Sequence, residues 1–243
     1  MRAALGVATI AFLIAAAPLS APAAGEDPRW GPIEDLYRPQ VVSRFAFVYE
    51  DVIARDVPNQ DGREVGRLTT KTEDGTDELV LIVARTRDRE RRRWFQVRMP
   101  MLPNNTTAWV PGSALGVVNK VYTWVKIDRK RLRLTLLRKG RVIMRARIGI
   151  GRSIWPTPSG NFYVRNRLSG PRLGAIYGPL AFGTSAHSAV LTDWPGGGVV
   201  GIHGTNQPEL LPGRVSHGCI RLRNRDIVRL GRRLKLGTPI TIR

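Results

Sequence analysis

At 243 residues and 42% apolar content, the chain is long enough for one domain or two small ones with modest cores, which excludes a disordered protein. Its 39 Lys and Arg against 19 Asp and Glu give a net charge of +20, a balance that suits any anionic partner and selects none. One cysteine excludes a disulfide framework. Three histidines, with no Cys-x-x-Cys pair, Walker loop or dinucleotide glycine fingerprint, call for no metal and no cofactor.

The chain opens with Met1-Arg2, an apolar run from Ala3 to Ala17 and the small residues Ala21-Pro22-Ala23. The run is too short to span a bilayer comfortably and is followed by Pro18 and Pro22, so residues 1–23 read as a secretion signal that is removed. Its loss takes away only Arg2, leaving +19 and no transmembrane segment. A secreted or extracytoplasmic location makes anionic envelope polymers and carboxylate-bearing substrates better partners for that charge than nucleic acid. Exported proteins usually pair their cysteines, so a lone thiol is buried and inert, intermolecular, or kept for chemistry.

Residues 24–43, with Pro28, Pro32 and Pro39, read as a linker or a surface arm. Short β-type runs follow at Phe45 to Tyr49, Val65 to Leu68, Leu79 to Val83, Trp94 to Val97 and Ala108 to Val110, punctuated by Asp74-Gly75 and Pro103-Asn104-Asn105. Seven arginines between Arg85 and Arg98 read as a solvated hairpin edge, where charge opposes aggregation. Strands this short and close suggest a small barrel. Through Val57-Pro58, Gly66, Trp94-Phe95-Gln96-Val97 and Trp109-Val110-Pro111, residues 44–116 resemble a bacterial SH3-like domain. The resemblance implies a module that docks on wall polymer or packs against its neighbour.

A second unit, residues 120–243, begins with a strand at Val121 to Ile127. A hairpin follows in which Leu132, Leu134 and Leu136 pair across Lys139-Gly140 with Val142, Met144, Ala146 and Ile148. Further strands are expected at Gly160 to Val164, Val199 to His203 and Pro239 to Ile242. One helix is signalled, capped by Asn224, with Ile227, Leu230 and Leu234 on one face and Gly237 as its stop.

Cys219 lies in Ser216-His217-Gly218-Cys219-Ile220-Arg221-Leu222, downstream of Gly201-Ile202-His203-Gly204-Thr205. A thiol attacks as thiolate and needs a nearby imidazole. If residues 215–220 are extended, His217 and Cys219 share a face, while His203 ends an apolar strand and Gly204 lets the backbone turn. One histidine can take the thiol proton and the other can shape the pocket; spacing leaves the assignment open. The Gly218 and Cys219 N–H groups suit an oxyanion hole, worth about 3 kcal/mol per donor. Arg221 can clamp a carboxylate or brace the turn, and Ser216 caps the turn or touches substrate. Residues 183–198, with His187 and a glycine-rich stretch, suit a flap over the cleft, lined by Tyr177 and Trp194.

His203-Gly204-Thr205, Gly213, the 216–222 run, Asn224, Asp226 and Gly237-Thr238-Pro239-Ile240, with Thr157-Pro158-Ser159-Gly160 and Tyr177-Gly178-Pro179-Leu180 upstream, resemble the L,D-transpeptidase family. The resemblance implies a mainly β protein whose second unit is an antiparallel β-sandwich. It implies Cys219 as nucleophile and His203 as base, oriented by a backbone carbonyl near Gly204. It also implies peptidoglycan stem peptides as substrates, with release of D-alanine and transfer of the acyl group to an amine. Water as acceptor would make the protein an L,D-carboxypeptidase. A non-catalytic wall-binding protein, with a vestigial cysteine, is the reading from another class. A monomer is expected.

Overall fold

The computed structural model describes residues 29–169, 174–191 and 198–243. Residues 1–23, expected to be a secretion signal, and Trp194 lie outside the described residues. Two clusters of buried side chains organise the chain, one built from residues between Leu36 and Leu115 and one from residues between Val125 and Ile242.

The first cluster sits on an eight-stranded sheet. In spatial order its strands are Glu64–Leu68, Val52–Arg55, Thr107–Pro111, Arg93–Arg98, Leu79–Arg87, Ser43–Phe47 and Asn119–Val121, with Glu34–Asp35 added to Leu79–Arg87. The arginine-rich hairpin formed by Leu79–Arg87 and Arg93–Arg98 is therefore interior to the sheet and not an edge: only its tip, Asp88 to Arg92, projects. Arg98 is buried and lies over the Tyr37 ring. Residues 30–36 run along the same strand, with Gly31 N–H and Leu36 N–H donating to Arg87 O and Val83 O, and Leu36 entering the core.

Leu79–Arg87 begins as an unbroken apolar run because both of its faces are covered. Val80 and Ile82 point into the first core, while Leu79 and Leu81 point the other way, onto Tyr163 of the second unit. Period-two alternation disappears when a neighbouring unit buries the face that solvent would otherwise wet.

The second unit stacks two sheets. One runs Arg141–Arg147, Arg133–Arg138, Thr123–Asp128, Pro239–Ile242, Gly160–Tyr163; the other runs Leu168–Ser169, Leu180–His187, Val199–His203, Ile220–Arg221, Gly149–Gly151, Gly213–Ser216. Both sheets are mixed and not wholly antiparallel: Pro239–Ile242 is parallel to Thr123–Asp128, Val199–His203 to Ile220–Arg221, and Gly149–Gly151 to Gly213–Ser216. The helix spans Asn224–Gly231 and buries Ile227 and Leu230. It ends at Gly231, before the expected stop at Gly237, and a Cβ at Gly231 would come within 2.3 Å of Leu180. Gly237 instead turns the chain at φ +71 beneath the Phe45 ring of the first unit.

Buried polar contacts join the units. The Arg165 guanidinium pairs with Glu78, both nearly inaccessible, and reaches Glu73 at 2.7 Å. Asn166 Nδ2 donates to Asp74. Charge is distributed unequally: residues 1–119 carry 15 Lys and Arg against 15 Asp and Glu, whereas residues 120–243 carry 24 against 4.

Candidate active site

The strand Val199–His203 is parallel to Ile220–Arg221, with Ile202 beside Ile220 and His203 beside Arg221. Cys219 is thereby set next to Gly201, whose N–H donates to Sγ at 3.3 Å. A Cβ built on Gly201 would lie 3.7 Å from His203 Cδ2 and 3.8 Å from Cys219 Sγ, so imidazole and thiol border the same bare Cα. One pocket collects Tyr177, His203, Ser216, His217, Cys219 and Arg221.

His203 is buried, and its Nδ1 lies 2.6 Å from Gly204 O. A carbonyl only accepts, so Nδ1 carries the proton and Nε2, on the Cδ2 side of the ring, keeps its lone pair. The Tyr177 ring meets the imidazole edge-on at 4.9 Å. Among the described residues no carboxylate orients this histidine; the Gly204 carbonyl occupies that place. It is held by Asn224, whose Oδ1 accepts the Thr205 N–H at 2.9 Å and fills the space where a Gly204 Cβ would sit. Asn224 therefore does not cap the helix, whose N-cap is Arg223.

The chain does not stay extended through the thiol. Gly213–Ser216 is a strand, but Gly218 has φ +117, a conformation that favours glycine, and the backbone turns there. The turn is tied internally: Ser216 Oγ donates to Cys219 O (2.6 Å) and accepts the Gly218 N–H (3.2 Å), and Thr157 Oγ1 donates to Gly218 O (2.7 Å). The Gly218 N–H is thus already engaged, which leaves the Cys219 N–H as the better oxyanion donor of the two. His217 reaches the pocket by this turn and packs against the Trp155 ring, centroids 4.2 Å apart and planes tilted by 43°.

Burial pushes the Cys219 thiol up from its usual value, against the opposing pull of the Gly201 N–H and the Arg221 charge. Burial likewise lowers His203 to about 4, helped by Arg221 and opposed by the Gly204 hydrogen bond. The resting pair is therefore neutral thiol and neutral imidazole, not an ion pair. His217 is lowered by burial and by the charges of Arg152 and Arg221. Arg221 is itself buried, and among the described residues its Nε has no hydrogen-bond partner.

His187 lies outside the pocket, whereas Ser188, Leu191, Gly198 and Val199 line it. The spacing around Cys219 pointed to the turn and both histidines. Gly201, Asn224 as a loop anchor, Thr157 and Trp155 act through contacts between distant segments, which no local motif encodes.

Residues 122–242 match the family model of the L,D-transpeptidase catalytic domain. This part of the chain belongs to the L,D-transpeptidase family. YkuD of Bacillus subtilis, named as an L,D-transpeptidase, is 35% identical over 118 residues, 49% of this chain and 63% of that protein. YkuD of Bacillus licheniformis, named likewise, is 32% identical over 45% of this chain and 58% of its own length. The chain thus spans about six tenths of these relatives. Among solved structures, the catalytic domain of the Enterococcus faecium L,D-transpeptidase is 27% identical, covering 50% of this chain and 96% of that one, with a TM-score of 0.37.

Proposed function

We propose that the protein is a cysteine acyltransferase acting on peptidoglycan stem peptides outside the cytoplasm. The observation that carries this reading is the shared border of His203 and Cys219 at Gly201, with the His203 tautomer set by Gly204. Substrate entry brings an amide carbonyl over the sulfur. The thiol proton passes to His203 Nε2, sulfur attacks the carbonyl carbon, and the Cys219 N–H steadies the oxyanion. Collapse breaks the carbon–nitrogen bond to the terminal D-alanine, whose nitrogen takes the proton from the imidazolium. A thioester remains on Cys219. An amine of a second stem peptide, giving up its proton to His203, then attacks the thioester; the carbon–sulfur bond breaks and the Cys219 thiolate recovers the proton from the imidazolium, while water in place of the amine releases a tripeptide. Arg221, whose Nε has no partner among the described residues, is suited to a stem carboxylate. His217 and Tyr177 shape the pocket, and Ser216 holds the turn.

The site and its ordered turn favour the enzyme over a wall-binding protein with a vestigial cysteine. The charge excess confined to residues 120–243 supports anionic envelope polymers as further partners of the catalytic unit, with residues 44–116 as the module beside it. Intact-mass measurement of the mature protein with a tetrapeptide stem, followed by product analysis, tests the reading. A thioester on Cys219 and cross-linked dimer support transpeptidation, tripeptide alone supports the hydrolase, and no adduct overturns both.

A further inference from the structure

Asn104 and Asn105 lie in the first unit, on the turn between Arg93–Arg98 and Thr107–Pro111, yet both carboxamides bond the backbone of the second. Asn104 does so twice on one residue. Its Oδ1 accepts the His187 N–H at 2.9 Å, and its Nδ2 donates to His187 O at 2.7 Å. Both main-chain polar groups of His187 are thus taken by a single planar side chain, as a neighbouring strand would take them.

The sheet does not supply that neighbour regularly. Leu180–His187 pairs with Val199–His203, but the register slips between Gly183 and His187, where Gly183 faces Gly201 and His187 faces Val199. Three residues on one strand, 184–186, thus stand opposite one, Val200, on the other, and such an irregularity weakens the ladder where the chain leaves it. Immediately beyond, the Ser188 N–H donates to Gly198 O at 2.8 Å, and Ser188 Oγ accepts the N–H groups of Val190 and Leu191. Ser188, Leu191, Gly198, Val199 and Val200 line the Cys219 pocket.

We propose that Asn104 is a positioning residue for this pocket: its carboxamide fixes His187 where the ladder slips and so places the wall formed by Ser188 and Leu191. The first unit is thereby part of the architecture of the site. The consequence for substrate rests on the acyl-transfer reading; the consequence for the backbone does not.

Two variants of the full chain separate this role from simple adhesion between units. Asn104→Ala removes the clamp. Asn105→Gly removes the bond from Asn161 N–H to Asn105 Oδ1 without strain, because Asn105 has φ +72, which glycine adopts freely. Amide exchange at Ser188, Val190 and Leu191 is measured alongside KM and kcat for a tetrapeptide stem. In Asn104→Ala, exchange at the three amides rises about tenfold and KM several-fold, with kcat within about twofold. In Asn105→Gly all these stay at wild-type values even where Tm falls. Unchanged exchange in Asn104→Ala, or the same change in both variants, overturns the proposal. Where the alanine variant fails to fold, Asn104→Asp keeps the acceptor and loses the donor, and exchange at the same amides decides. Should the wild type turn over no stem peptide, the acyl-transfer reading falls by itself, and exchange still decides for Asn104.

Discussion

His203 and Cys219 meet across the missing side chain of Gly201: the ring and the sulfur lie 3.7 and 3.8 Å from the point where a Cβ would stand. Both are ordinary contact distances, so a methyl group fits there without displacing the backbone. Gly201→Ala should therefore keep Tm within about 3 °C while placing an apolar wedge beside the path of the proton, lowering the acylation rate about tenfold or more. Thermal unfolding and single-turnover acylation check the two halves. A fully active variant would mean that the proton takes another route.

The pH profile follows from His203. It is neutral in the free enzyme above about pH 4 and accepts a proton only in that form, so kcat/KM should climb through that region to a plateau across neutral pH. In His203→Gln only pre-formed thiolate reacts, and because burial raises the Cys219 thiol, the plateau should become a slope of about tenfold per pH unit. Stability carries the same sign. The folded value lies below the ordinary 6.5, so this contribution is complete above 6.5 and is lost as pH falls towards 4, by about 3 kcal/mol in total. Denaturant titrations at pH 7 and pH 4 should show that loss reduced in His203→Gln.

The Arg165–Glu78 pair joins the units while almost wholly removed from water. Glu78→Ala leaves a buried guanidinium with only Glu73 and should lower unfolding free energy by about 3 kcal/mol or more. Replacing both partners, as Arg165→Met with Glu78→Leu, should restore most of it. A double variant as unstable as the single one would show a net stabilising role for the pair itself.

Retention on an anionic wall polymer should fall steeply with salt and should belong to the catalytic unit, where 24 cations face 4 anions. Charge reversal at the exposed Arg145 and Arg147 should weaken retention and leave acylation unchanged. Salt-independent retention would locate binding elsewhere.

Much of this site was legible in the sequence because its chemistry is concentrated in two short runs, 201–205 and 216–222. The hairpin at Lys139-Gly140 was equally legible, since alternating Leu134 and Leu136 bury one face only. Asn119–Val121 carries too few apolar residues to announce itself and exists through its ladder with Ser43–Phe47, far along the chain. Leu79 and Leu81 look like core of their own unit, yet they cover Tyr163 of the other. Asn224 matched a cap by position, whereas its side-chain oxygen accepts the Thr205 N–H in the loop after His203. What local pattern cannot report is which distant backbone a polar side chain will satisfy.

The most direct measurement is the mass of the intact protein after brief exposure to a tetrapeptide stem at neutral pH, for wild type and for His203→Gln. Wild type should gain the stem acyl group less its terminal D-alanine, on Cys219, and His203→Gln should gain almost none in the same interval. An adduct on another residue, or equal rates in the two proteins, would contradict thiol activation by this imidazole.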